Sequence, residues 1–171
     1  MKRPAVAALL AALSAVAGCG GTHTGGTVTR APAASASQWD PSRMPDPCRL
    51  ISQAEVSATI GTPVSEGSRL QTWPPLCRFV IDAATETFVY LSDDSRPAAA
   101  DDFDRTEHTT NVTQPVTGLG DKAYWLPQLG ALHVLSVGTH VVVMFRGGKV
   151  PSDARTAAVG LARIALPRSR P

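Results

Sequence analysis

Cys19, Cys48 and Cys77 are the three thiols of the chain, and their settings differ. Cys19 ends the stretch Val16-Ala17-Gly18-Cys19, directly after an apolar run from Ala5 to Val16 that opens with Lys2 and Arg3. That run is too short to span a bilayer as a helix and has the layout of a cleavable leader. Cys48 and Cys77 make no Cys-x-x-Cys motif, and no histidine lies near either in sequence, which disfavours a metal site or a redox pair. In an oxidising compartment a leftover pair of thiols is most simply a disulfide. It would close a loop of 30 residues, counting both ends, and stabilise by about 3–4 kcal/mol in the chain-entropy picture.

The remaining reactive groups form no familiar catalytic pattern. His108, His133 and His140 are spread over a helix and a hairpin, and the expected hairpin register keeps His133 and His140 from binding one ion. Asp93, Asp94, Asp101, Asp102 and Asp104 lack the spacing and the glycine of a calcium loop, so they are expected on a solvated face near a helix start. Gly118-Leu119-Gly120 neither follows a long buried strand nor opens a helix, which makes it a turn rather than a nucleotide loop. The chain carries no Gly-x-Ser-x-Gly, His-Glu-x-x-His or Ser-x-x-Lys motif. The expectation is a protein without catalytic residues, metal or cofactor.

The segment around Cys19 resembles the lipobox of bacterial lipoproteins, with small residues at Ala17 and Gly18 and valine where leucine is common. The resemblance implies that the chain is cut before Cys19, that Cys19 carries the lipid, and that the protein sits at the extracytoplasmic face of the cell membrane. Two or more acyl chains make such an attachment lasting. Residues 1–18 are then a signal peptide.

Without Lys2 and Arg3, 14 basic residues stand against 14 acidic ones, so charge points to no nucleic-acid partner. Residues 19–45 read as the lipidated cysteine and a tether of Gly, Thr, Ala, Ser and Pro, whose large apolar residues are Val28, Trp39 and Met44. Residues 46–167 form the globular domain, and 168–171 are expected to be a disordered tail.

Within the domain, Ser52-Gln53-Ala54-Glu55 is a capping box, with Ile51 and Val56 as its hydrophobic staple and Gly61 ending the helix. Strands are expected at 63–66, 78–82, 86–92, 112–117 and 122–126, and a helix from Pro97 to about His108. Its one large apolar anchor is Phe103, so this helix should be peripheral. A hairpin of 131–137 and 140–146 turns at Gly138-Thr139, which pairs Val137 with His140. One face then carries Leu132, Val134, Val141, Val143 and Phe145. The other carries His133, Leu135, Val137, Val142, Met144 and Arg146, which is more apolar than a solvated face requires. Ser152 is placed to cap a last helix, 153–166, with a stripe of alanines, Leu161 and Ile164. The order of elements predicts a single α+β domain, a mainly antiparallel sheet with helices packed largely on one face.

Asp46-Pro47-Cys48-Arg49-Leu50-Ile51, Cys77-Arg78-Phe79 and Gly118-Leu119-Gly120-Asp121-Lys122-Ala123-Tyr124 together resemble a domain of actinobacterial envelope lipoproteins of unknown function. Phe79 stands where that family usually has tryptophan. The resemblance covers 46–166 and implies a lipid-anchored domain with one disulfide, and it supplies no catalytic residues. The expected function is a non-catalytic binding or accessory module whose face of His133, Leu135, Val137, Val142, Met144 and Arg146 meets an envelope protein or a lipid-like ligand. A small hydrophobic-ligand carrier or sensor is the alternative, and an enzyme of unrecognised type the third.

Overall fold

The computed structural model describes residues 45–70, 72–110, 112–148 and 150–169. The expected leader, Cys19, the tether up to Met44 and residues 170–171 lie outside them.

The described chain forms one antiparallel sheet of seven strands and three helices, a single α+β domain. The strands are β1 (Ser68–Leu70), β2 (Leu76–Asp82), β3 (Thr87–Asp94), β4 (Gln114–Pro115), β5 (Lys122–Leu126), β6 (Ala131–Ser136) and β7 (Thr139–Arg146), in the spatial order β1-β2-β3-β7-β6-β5-β4. The helices are α1 (Gln53–Ile60), α2 (Ala99–Thr109) and α3 (Ala154–Ala165).

Alternation along the central strands divides the sheet into two faces. Cys77, Phe79, Val89, Leu91, Leu132, Val134, Val141, Val143 and Phe145 point to the first face, where α1 and α3 cover them in the main core. The small residues Ala154, Ala157, Ala158, Ala162 and Ala165 let α3 settle close to the sheet, with Leu161 filling the space between. The Cys48–Cys77 disulfide, with Cα atoms 4.9 Å apart, fastens the 3-10 turn Pro47–Arg49 to β2. At α1 the capping box is complete: Ser52 Oγ accepts from the Glu55 amide and a Glu55 oxygen accepts from the Ser52 amide. Gly61 ends this helix at φ 70°, and Ile51 and Val56 are both buried.

On the second face α2 packs over part of the sheet, and Phe103 is its fully buried anchor among Tyr124, Leu126 and Ala131. One large side chain suffices because it enters a pocket of aromatic neighbours.

Several expectations need correction. The first strand is 68–70, not 63–66, because Ser65 Oγ takes the Val80 N–H that a strand carbonyl would otherwise accept. The last helix is preceded by Asp153, and no side chain caps it, so Ser152 does not have that role. Arg168 and Ser169, assigned to a disordered tail, belong to the domain: Leu166–Arg168 is a 3-10 turn, Arg168 donates to the Leu50 carbonyl, and Ser169 is buried.

The hairpin register is also two residues away from the expected one. Val137 and Gly138 form the turn at φ 49° and 77°, and Ser136 pairs with Thr139. Asp121 explains the difference, since its carboxylate accepts the Val137 N–H at 2.7 Å while its own amide donates to Leu135 O at 2.8 Å. A slip of two preserves the faces but changes every partner. His133 stands opposite Val142 instead of Met144, and His140 opposite Leu135.

Candidate functional site

The changed register brings His133 and His140 together beneath α2. They sit on adjacent strands one diagonal apart, and His133 Nδ1 lies 3.0 Å from His140 Nε2. Both are buried, so each stays neutral at physiological pH, one ring donating and the other accepting. Desolvation, then the neighbouring His140, pushes His133 down to about 3. Desolvation also lowers His140, against an opposing pull from Asp94 and Asp102. Tyr124 stacks on His133 with ring centres 5.0 Å apart, and Phe103 meets His140 edge-on at 5.3 Å. Tyr124 donates its hydroxyl to the Phe103 carbonyl, tying β5 to α2 over the pair. With both rings lowered from their ordinary range, the buried pair holds structure together and is uncharged at neutral pH.

Beside it, Asp94 stands opposite His140 and receives Arg96 in a forked contact, Nε at 2.8 and 3.0 Å and Nη2 at 2.5 Å. The same guanidinium reaches Asp102 on α2 at 2.7 Å and lies over the Trp73 ring at 5.5 Å. Asp94 is 3% exposed, and Asp93, on the first face opposite Val141, is fully buried with neither oxygen hydrogen-bonded. The expectation that these two acids lie on a solvated face is therefore overturned. They continue the alternation of β3 past its last apolar residue. Burial, reinforced by the Asp94 charge, pushes Asp93 up to about 7.

Further along the second face, Leu76, Val80, Phe88, Tyr90 and Val142 are half-buried and belong to neither core cluster of the described residues, with exposed Arg146 at one end, while Met144 packs against the cluster under α2. Arg78 lies over Phe88 at 5.3 Å, and the buried Ser92 hydroxyl has no partner.

This geometry divides the face expected from the sequence. His133 is buried and Leu135 half-buried in the cluster under α2. Val137 is 66% exposed in the turn. Val142 and Arg146 belong to the open part, and Met144 packs against the same cluster as Leu135. Phe88 and Tyr90 were not expected there. Their phase opposite Val89 and Leu91 was visible, but the pairing of β3 with β7 spans some fifty residues and left no local trace. Cys48 and Cys77 are joined as expected, and Cys19 lies outside the described residues.

Among the described residues no three His, Cys, Asp or Glu side chains converge as metal ligands, and no helix is long and apolar enough to cross a membrane. Comparison with family models, curated proteins and solved structures finds no match.

Proposed function

We propose that this chain is a lipid-anchored, extracytoplasmic binding module of the cell envelope, held through Cys19, that engages a partner protein through the open face of β2, β3 and β7. The carrying observation is the contrast within one sheet face. Tyr124, Leu126 and Ala131 are buried with Phe103 of α2, while Phe88, Tyr90 and Val142 are half-buried and belong to neither core cluster. Contiguous apolar surface left in this way marks a contact site, and aromatic residues with arginine at the edge suit protein partners.

The leader-like stretch 1–18 before Cys19 supports the anchor, as does the resemblance to actinobacterial envelope lipoproteins. Recesses of about 310–490 Å³ among the described residues each include a charged side chain, which favours a surface-binding module over a carrier of apolar molecules.

Cross-linking in intact cells from a photoreactive residue at Tyr90 tests the face. A discrete protein adduct that Val142→Asp abolishes, with the fold retained by circular dichroism, is the expected result. No adduct, or one indifferent to Val142→Asp, overturns the reading. The anchor is tested separately by the mass of the native product, which is expected to begin at acylated Cys19.

A further inference from the structure

We propose that the recess between the disulfide-bound turn and the edge strand β1 binds the phosphate of an anionic membrane headgroup. This inference rests on the lipid-anchor reading for its choice of ligand. The recess is about 490 Å³ and is lined by Pro45, Asp46, Arg49, Leu50, Arg69 and Arg168.

The disulfide gathers two of the arginines. Arg49 follows Cys48, and Arg69 is the cross-strand partner of Cys77, so the bond that joins the cysteines sets the two guanidiniums on one rim. Neither the Arg49 nor the Arg69 guanidinium makes a hydrogen bond or ion pair among the described residues, and both residues are exposed. The third is fixed: Arg168 donates to Glu55 at 2.6 and 2.9 Å and to the Leu50 carbonyl at 3.0 Å. The carboxylate of Asp46 is engaged by the Cys48 amide at 3.1 Å. Two free guanidiniums beside a fixed one, in a protein that is formally neutral once its leader is gone, form a local basic spot. Forked donors of this kind match phosphate oxygens.

Position selects the source of the phosphate. Pro45, on the rim, follows Cys19 by 26 residues, so a chain anchored at Cys19 enters the domain beside this recess. Each arginine near an anionic surface is worth about a fivefold gain in partitioning at moderate salt.

The test uses the full chain carrying Cys19→Ser, so that no acyl group contributes. Binding is measured by flotation with vesicles of phosphatidylcholine alone and with vesicles containing phosphatidylglycerol. The expected result is a preference for phosphatidylglycerol that falls about twentyfold in Arg49→Gln/Arg69→Gln and weakens with salt. Arg49→Lys/Arg69→Lys should lose part of it, because an ammonium keeps the charge without the fork, and circular dichroism should show every variant folded. Equal binding to both vesicles overturns the proposal. So does an equal fall in Arg146→Gln, which would mark diffuse charge, or binding of inorganic phosphate without any vesicle preference. Because the anchor is read from the mass of the native product, either idea can fail while the other stands.

Discussion

His133 Nδ1 and His140 Nε2 are hydrogen-bonded at 3.0 Å in a site closed by Tyr124 and Phe103. Both rings are held neutral by burial, His133 at about 3, whereas in the unfolded chain each takes a proton near 6.5. The unfolded state therefore binds more protons once pH drops below 6.5. The contribution of both is complete above that pH; that of His133 is lost as pH falls toward 3, by about 4 kcal/mol, and His140 acts in the same direction. Urea unfolding across this range is expected to show that acid slope, and His133→Phe/His140→Leu to remove it. An unchanged slope in the double variant would assign acid sensitivity elsewhere.

Asp93 works in the opposite sense from the other face of the sheet. Its folded value of about 7 lies above its unfolded value of 3.8, so the cost of burying its charge is absent below 3.8 and grows as pH rises to 7. The full cost is about 4 kcal/mol. Asp93→Val, placed opposite Val141, is expected to stabilise the protein at pH 7.5 by about 3 kcal/mol and much less at pH 4. In that variant the histidine slope between 6.5 and 4 should steepen, because the opposing carboxylate slope is gone. Equal stabilisation at both pH values would contradict the assignment.

The covalent frame offers a third measurement. Reducing Cys48–Cys77, or replacing both by alanine, releases a 30-residue loop in the unfolded chain and is expected to cost about 3–4 kcal/mol. The denaturation midpoint with and without reductant gives the value directly. A double alanine variant as stable as the oxidised protein would show that the core of α1, α3 and the sheet needs no staple.

Local chemistry in the sequence was informative wherever a few adjacent residues decide the outcome. The capping box at Ser52 and Glu55, the left-handed Gly61 and the pairing of the two cysteines are such cases. The faces of the hairpin were legible for the same reason, since alternation survives a shift of two. The histidine contact was not, because it depends on register, and register depends on Asp121 reaching the Val137 amide from another strand pair. The buried acids were missed because charge was read as exposure. Asp94 is buried with Arg96 as its partner, and Asp93 is buried with none.

The turn that supplies Asp121 should be sensitive at one glycine and tolerant at the other. A methyl group at Gly120, where φ is 60°, would meet Leu135 O at 2.5 Å and the Val134 side chain at 2.7 Å. Gly118 has a similar φ of 69° but open space around it. Gly118→Ala is therefore expected to cost about 1 kcal/mol from backbone strain alone. Gly120→Ala adds the clash and should cost about 3 kcal/mol, read from chemical denaturation. Equal costs would mean that Leu135 gives way freely.

Val137 is the test that separates stability from binding. A β-branched residue at φ 49° is strained, and Gly138 after it at φ 77° completes a turn in which asparagine followed by glycine is the favoured pair. Val137→Asn removes the strain while keeping the amide that Asp121 accepts, and it should raise stability by about 1 kcal/mol. Since Val137 lies in the turn, away from the open face of Tyr90 and Val142, photocross-linking from Tyr90 should proceed as before. If adduct formation falls while stability rises, the strained valine is itself part of the contact surface, and the partner face extends to the tip of the hairpin.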